Sequence, residues 1–193
     1  MILENVTLEG IFVRLEPLSI THLEALCEVG LDDSLWKWTS NHCSTAADME
    51  RYVSTAIADR DRGISLPFVT IEKENRTVIG STRFGSIDSQ NRKVEIGYTW
   101  INSRWQRTAI NTEAKLLMLT HAFEVWKCIR VELKTDVLNQ RSRNAIARIG
   151  AKEEGTLRNH TICDSGRIRD TVYFSITEGE WPDVKQNLID SIR

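Results

Sequence analysis

The sequence predicts a mixed, mostly antiparallel β-sheet with helices on both faces, an α/β fold of the α+β type. Three observations lead there. Alternating segments pair first as hairpins and are later linked through helices. The stretch Lys93–Asn111, KVEIGYTWINSRWQRTAIN, runs from an alternating strand through a short polar loop into an apolar helix. A chain of 193 residues with 41% hydrophobic content and a formal net charge of -2 suits one well-cored domain over residues 1–193.

Each element has its own signal. Gly10 to Leu18 reads as a first strand with Phe12, Val13 and Leu15 as its apolar members. Ser19 or Thr21 caps a short helix through Leu23, Leu26 and Val29 that ends at Gly30. Leu31 to Cys43 is irregular and carries Trp36 and Trp38. Thr45 with Asp48 forms an N-cap pair opening a helix to about Arg62, with Met49, Val53 and Ile57 on one face. Leu66–Glu72 and Val78–Ile87 form a hairpin around Lys73, Glu74, Asn75 and Arg76. In the next strand Val94, Ile96, Tyr98 and Trp100 share one face, opposite Lys93, Glu95, Gly97 and Thr99. A nearly all-apolar helix follows from Asn111, then an alternating strand at Ile129, Val131 and Leu133. A helix over Gln140–Ile149 stops at Gly150, and strands Glu154–Ile162 and Arg167–Ile176 flank the turn Cys163–Gly166. The tail EWPDVKQNLIDSIR closes the chain as a short helix.

Composition excludes several function classes. No basic excess supports nucleic acid or an anionic membrane as partner. Met1 to Gly10 lacks the basic start and apolar run of a signal peptide, and no segment has bilayer-spanning length. Cys27, Cys43, Cys128 and Cys163 form no CxxC pair, which favours reduced thiols and a cytoplasmic location. His22, His42, His121 and His160 lack ligand spacing, so no metal is expected. No GxGxxG or GxxxxGK[ST] follows an early strand, which argues against a nucleotide-binding α/β protein.

The strand–loop–helix junction points to a ligand. A loop entering a helix from a strand end aims free N–H groups and the positive end of the helix dipole at one point. Arg104 and Arg107 lie in that loop, so a phosphate-bearing ligand is expected there.

This loop, the NTEAK helix, the NQRSRNAIARIGA helix and the run EEGTLRNH…DSGRIRDTVYFSI…EW together resemble the GNAT superfamily of N-acetyltransferases, closest to its RimJ/RimL-like branch. The resemblance extends from the first strand to Trp181 and is strongest from Glu95 onward. It implies a splayed sheet with acetyl-CoA in the gap between the fourth and fifth strands, no metal, and a homodimer as a compatible assembly. The family's pyrophosphate loop, Gln/Arg-x-x-Gly-x-Gly/Ala, falls on Arg104, Arg107 and Ala109, with Arg107 in place of the usual glycine. A glycine there lets backbone approach phosphate, and an arginine can still serve if its φ is negative. The resemblance assigns cofactor contacts to Gln106, Arg107, Thr108, Ala109, Ile110 and Asn111, helped by Arg104. The alternative is that both arginines are solvated loop residues.

Ser142, Ala145, Ile146 and Ile149 stand at i, i+3, i+4 and i+7, which turns Ser142 inward. Many family members carry a tyrosine acid seven residues after the helix-capping asparagine; here that position is Ile146. The RimL-like pattern instead puts a serine three residues after it, as Ser142 stands to Asn139. By resemblance Asn139 bonds the pantetheine arm and Ser142 protonates the departing thiolate. Alternatively, Asn139 is only a cap and Ser142 bonds a helix carbonyl.

Acetyl transfer needs a neutral amine and hence a proton acceptor. Glu95 is the carboxylate candidate; its alternative is a structural ion pair with Arg83. Asp170 reads as structural, and His160 as scaffold rather than base. Backbone N–H groups near Thr99, Trp100 and Ile101 are placed to hold the oxyanion. Trp36 and Trp38 either line the acceptor pocket or belong to a satellite core. The expected function is transfer of acetyl from acetyl-CoA to a primary amine, of a protein N-terminus or a small molecule, by direct attack in a ternary complex. The alternatives are an acyl-CoA-binding module without turnover and an acyltransferase using a larger acyl-CoA.

Overall fold

A computed structural model describes Met1 and residues 4–192. Among these, one sheet of eight strands runs in the order β1-β2-β3-β4-β5-β6-β8-β7. The strands are β1 Leu8–Glu9, β2 Val13–Pro17, β3 Leu66–Glu72, β4 Thr77–Asp88, β5 Lys93–Ile101, β6 Arg130–Asp136, β7 Lys152–Ile162 and β8 Ile168–Thr177. Every pairing is antiparallel except β5 with β6. The predicted mixed sheet is therefore present. No helix among the described residues is long and apolar enough to cross a membrane.

The helices form where their caps stand. A 3-10 turn, Ile20–His22, is capped by Ser19 and leads into α1, Leu23–Gly30. The segment expected to be irregular contains a single helical turn, α2, Asp33–Trp36, nucleated by the Asp32 side chain accepting from Ser34 N. Thr45 and Asp48 make the reciprocal capping box of α3, Ala46–Asp61. Helix α4 spans Ala109–Thr120 and runs on through a π-helical turn at His121–Val125. Asn139 caps α5, Gln140–Arg148. The tail forms α6, Trp181–Ile192; its final residue, Arg193, lies outside the described residues, as do Ile2 and Leu3 of the N-terminal stretch.

Two cores, one on each face, follow from this layering. Leu15, Phe68, Phe84, Val94, Ile96, Met118, Leu119, Val131 and Ile176 fill the face under α4 and α6. Leu18, Leu26, Trp36, Met49, Tyr52, Val53, Val69 and Trp100 fill the face under α1–α3.

The first strand expected over Gly10–Leu18 forms only as Val13–Pro17, the separate β1 precedes it, and Phe12 is 41% exposed instead of inward. The cause lies on α4. The buried carboxylate of Glu113 accepts from Ile11 N at 2.7 Å, Phe12 N at 2.7 Å and Val13 N at 2.8 Å. Drawing consecutive N–H groups to one point curls the backbone out of the extended form. Gly10 permits this closeness, since a Cβ there would stand 2.3 Å from the Glu113 side chain.

Glu113→Ala leaves the buried Val13 N–H without an acceptor, removes the partner of the two part-buried N–H groups, and is expected to cost about 3 kcal/mol in urea unfolding. A loss below about 1 kcal/mol would show the contact to be dispensable.

Candidate functional site

The site begins with a break in the central strand. β5 pairs with β6 only through Lys93, Val94 and Glu95, opposite Arg130, Val131 and Glu132. Beyond Glu95 the strands separate: β5 continues along β4, while β6 continues along β8 to Asp136. Two strand edges thus face one another across a cleft without pairing, and backbone polar groups there seek a partner other than the sheet.

A β-bulge lies at the same place. Ser81 pairs with Trp100 and Arg83 with Gly97, so Tyr98 and Thr99 together oppose Thr82. Tyr98 takes a left-handed φ of 52°. The extra residue reverses the strand's phase. Val94, Ile96 and Ile101 pack under α4, whereas Trp100 packs among α1–α3. The strict alternation expected for β5 fails here. Glu95, Tyr98 and Trp100 share the α1–α3 face, contrary to the expectation that Glu95 opposes the two aromatics.

At the far end of β5 the chain turns through Ser103–Trp105 into α4, whose N-cap is Thr108. Asn102 anchors this turn, donating from Nδ2 to Val29 O at 2.8 Å and accepting from Arg104 N at 3.1 Å. Gln106 donates to Ile101 O at 2.7 Å and accepts from Arg141 Nη1 at 2.8 Å. Arg104 and Arg107 are exposed, and among the described residues neither pairs with a carboxylate. Arg107 has a φ of 63°, so the negative φ under which an arginine would serve without strain is not the one it adopts. The loop keeps the backbone shape that glycine favours, and the arginine bears the strain of its own Cβ, about 1 to 2 kcal/mol. Thr108, Ala109, Ile110 and Asn111 form the first turn of α4 and its cap, with the helix dipole's positive end turned toward the arginines.

Across the cleft, Asn139 Oδ1 accepts from Ser142 N at 3.1 Å. The Ser142 side chain is half-buried, not fully inward, and its hydroxyl makes no bond to a helix carbonyl among the described residues.

On the α1–α3 face, Glu95 is only 4% exposed and lies 2.8 Å from Lys134 Nζ. Ser86 Oγ donates to the same carboxylate oxygen, Oε2, at 3.1 Å. The ion-pair partner is therefore Lys134 rather than Arg83. Burial alone would lower the Lys134 pKa, but the Glu95 charge more than offsets that and holds it above its ordinary value. Trp36 is 3% exposed, donates to Gly30 O and packs 5.3 Å from Trp100, so it sits in the core. Trp38 is half-buried between Lys37 and the Arg167 guanidinium, which lies 5.5 Å from its ring. Its segment is strapped to the β7–β8 turn, where Asp164 N donates to Ser40 O and His42 N to Asp164. Asp170 accepts from Asn159 N, and His160 stands between Thr171 and Tyr173.

Sequence reasoning missed Lys115. The helix read as nearly all apolar buries this lysine at 6% exposure. Its Nζ donates to Thr99 Oγ1 at 2.7 Å, and Thr99 and Thr82 hydroxyls lie 2.8 Å apart. Desolvation lowers its pKa to about 7. The bulge is thus tied from behind to α4. A lysine among helical apolar positions is the signal that could have revealed it. Arg141 was missed as well, being an ordinary polar residue until folding brings it to Gln106.

A protein-family model described as an acetyltransferase (GNAT) domain matches residues 13–152. A Bacillus subtilis protein named "Putative ribosomal N-acetyltransferase YdaF" is 36% identical over 109 residues, 56% of this chain and 58% of that relative, so just over half of its length is spanned. A crystal structure of a GCN5-related N-acetyltransferase from Brucella melitensis superposes with a TM-score of 0.90 at 31% identity, over 98% of this chain and 86% of that one. Mycobacterium smegmatis RimJ, solved in complex with CoA-disulfide, superposes with a TM-score of 0.80 at 25% identity, over 97% and 93% of the two chains.

Two outcomes test the strain and the buried amine. Arg107→Gly relieves the left-handed arginine and is expected to raise stability by up to about 1 kcal/mol; a clear loss contradicts the strain. The folded Lys115 releases its proton near pH 7, whereas the unfolded chain holds it to about 10.5. The unfolded state binds more protons in that window, so stability gains up to about 1.4 kcal/mol per pH unit from this group as pH rises. Lys115→Met should flatten the rise between pH 7 and 10, measured by urea unfolding; an unchanged slope would place the titration elsewhere.

Proposed function

The chain belongs to the GNAT acetyltransferase family, in its RimJ/RimL-like branch, and on that premise we propose that it transfers acetyl from acetyl-CoA to a primary amine. Residues 1–193 act in this reading as one such domain, with the amine on a protein N-terminus or a small molecule. The observation that carries it is the unpaired cleft between β5 and β6, which opens beside the α4 N-terminus and its carboxylate-free arginines. The residues present fit CoA. An anion of phosphate chemistry matches the N–H groups of Gln106–Ile110 with Arg104 and Arg107. Arg107 preserves the glycine-like backbone, so the exchange at that position does not argue for a non-catalytic binder. Asn139 holds the pantetheine amides from the other wall.

Acetyl-CoA supplies an acyl group activated as a thioester. The protein's part is positioning and proton handling. Within Thr99, Trp100 and Ile101, the alternate backbone N–H groups that face the edge of β5 without a strand partner, rather than β4, receive the charge that builds on the acyl oxygen. The Lys115–Thr99 bond fixes that edge before any ligand arrives. Glu95 accepts the amine proton through Ser86, whose exposed hydroxyl connects the buried carboxylate to the acceptor side. Ser142 donates the proton that the leaving thiolate needs. No covalent enzyme intermediate is required, because the buried Cys43 and Cys128 thiols are pushed up to about 12 and about 11 and make poor nucleophiles.

Calorimetry with acetyl-CoA at tens of micromolar is expected to show one-site binding, and its absence would overturn this reading. Ser142→Ala is expected to lower kcat by about 100-fold or more with CoA affinity nearly unchanged. A rate equal to the parent's would remove Ser142 from the mechanism.

A further inference from the structure

A buried cation next to the bulge has no role in the reaction described so far. Arg83 lies on β4 opposite Gly97 and is 4% exposed. Its guanidinium sits between two rings, 4.1 Å from the centre of Tyr98 and 5.1 Å from that of Tyr52. The nearest carboxylate, Asp59, is 3.8 Å from Nη1 and is itself bound by Arg62. Among the described residues the Arg83 side chain makes no hydrogen bond, and its Nε is wholly buried without a partner.

The surroundings repeat the pattern. Arg83 lines a cavity of about 300 Å³ together with Asp59, Ile64, Ser65, Ser86 and Tyr98. Ser65 Oγ, and the hydroxyl of Tyr52 behind the guanidinium, are also buried without partners. A guanidinium has five donors in a planar fork, and stacking between rings satisfies none of them. Removed from water, such a group is stable when a planar acceptor fills the fork, and a carboxylate does so with two parallel bonds. Tyr98 lines the cavity and belongs to the bulge whose following residues hold the acyl oxygen in the reaction proposed above.

We propose that this cavity is an acceptor subsite in which Arg83 binds a carboxylate, so that the amine acetylated here belongs to a carboxylate-bearing molecule. The inference rests on the amine-acetyltransferase reading. The carboxylate has two sources: a free amino-carboxylic acid, or the acidic side chain of a residue next to a peptide's N-terminus. Tyr98 and Tyr52 hold the fork in plane, Ser65 adds a hydroxyl to the bound oxygen, and Asp59 disfavours di-anions such as phosphate.

Binding is measured without turnover, by calorimetry on the full chain saturated with CoA. The probes are N-acetyl-L-alanine, its neutral N-methylamide, and paired peptides of sequence Ala-Asp-Ala-Ala and Ala-Asn-Ala-Ala with amidated C-termini. Wild type is expected to bind at least one carboxylate probe tenfold or more tightly than its neutral counterpart. Arg83→Gln and Arg83→Met are expected to erase that difference while keeping CoA affinity, and Arg83→Met is expected to match or exceed the parent's Tm. Preference for N-acetyl-L-alanine identifies a metabolite acceptor, and preference for the aspartyl peptide identifies a protein N-terminus. Equal binding of charged and neutral probes, or a preference that survives in both variants, overturns the proposal. If CoA binds and amines are acetylated in that case, the enzymatic reading stands. Failure of CoA to bind overturns that reading instead, while the carboxylate preference is still scored on the CoA-free protein.

Discussion

The separation of β5 from β6 after Glu95 governs the rest of the structure. A parallel pair that continued to the strand ends would satisfy every backbone group and leave no cleft. The bulge at Tyr98–Thr99, where two residues of β5 oppose Thr82 alone, lies where β5 has already left β6 and follows only β4. β6 then spends its length on β8, from Asp136–Thr171 to Arg130–Thr177. The N-termini of α4 and α5 come to stand on opposite banks of the opening, as each helix follows its strand. Position, more than any single side chain, makes the site.

Polar groups inside α4 maintain that geometry. Glu113 gathers the loop before β2, and Lys115 fastens Thr99. Both lie on a helix that reads as a core element, and both exchange desolvation cost for fixed backbone positions. The Lys115 amine does so without a carboxylate, which is why its proton is lost so readily. Its hydrogen bond supports the bulge, and near pH 7 the amine is about half protonated.

Much of this was legible in the sequence. Strand β3 begins and ends at the expected Leu66 and Glu72, the Thr45–Asp48 box opens α3, and Gly150, with a φ of 92°, stands just past α5 as expected of a C-cap glycine. Local signals of cap and period carry these elements. The bulge was not legible, because a two-for-one step in a strand carries no residue signature when tyrosine, not glycine, takes the left-handed conformation. The phase of β5, the face of Glu95 and its pairing with Lys134 all depended on it. Arg107 was misjudged for a related reason: side-chain type predicts preferred φ, but the turn into α4 dictates the actual one. Trp36 and Trp38, two residues apart in sequence, part company only through packing, one into the core and the other against Arg167.

The tie between Lys115 and Thr99 reaches the bulge from the side away from the acceptor. On the reading proposed above, support and selectivity are housed on opposite faces of one sheet, with separate cores. If the proposed subsite holds, substitutions at Ser65 or Arg83 redirect preference without loosening the strand edge on which bond-making depends. Such a division lets one scaffold diversify: lineages could trade one amine for another through changes on a single layer, leaving the anchoring layer intact.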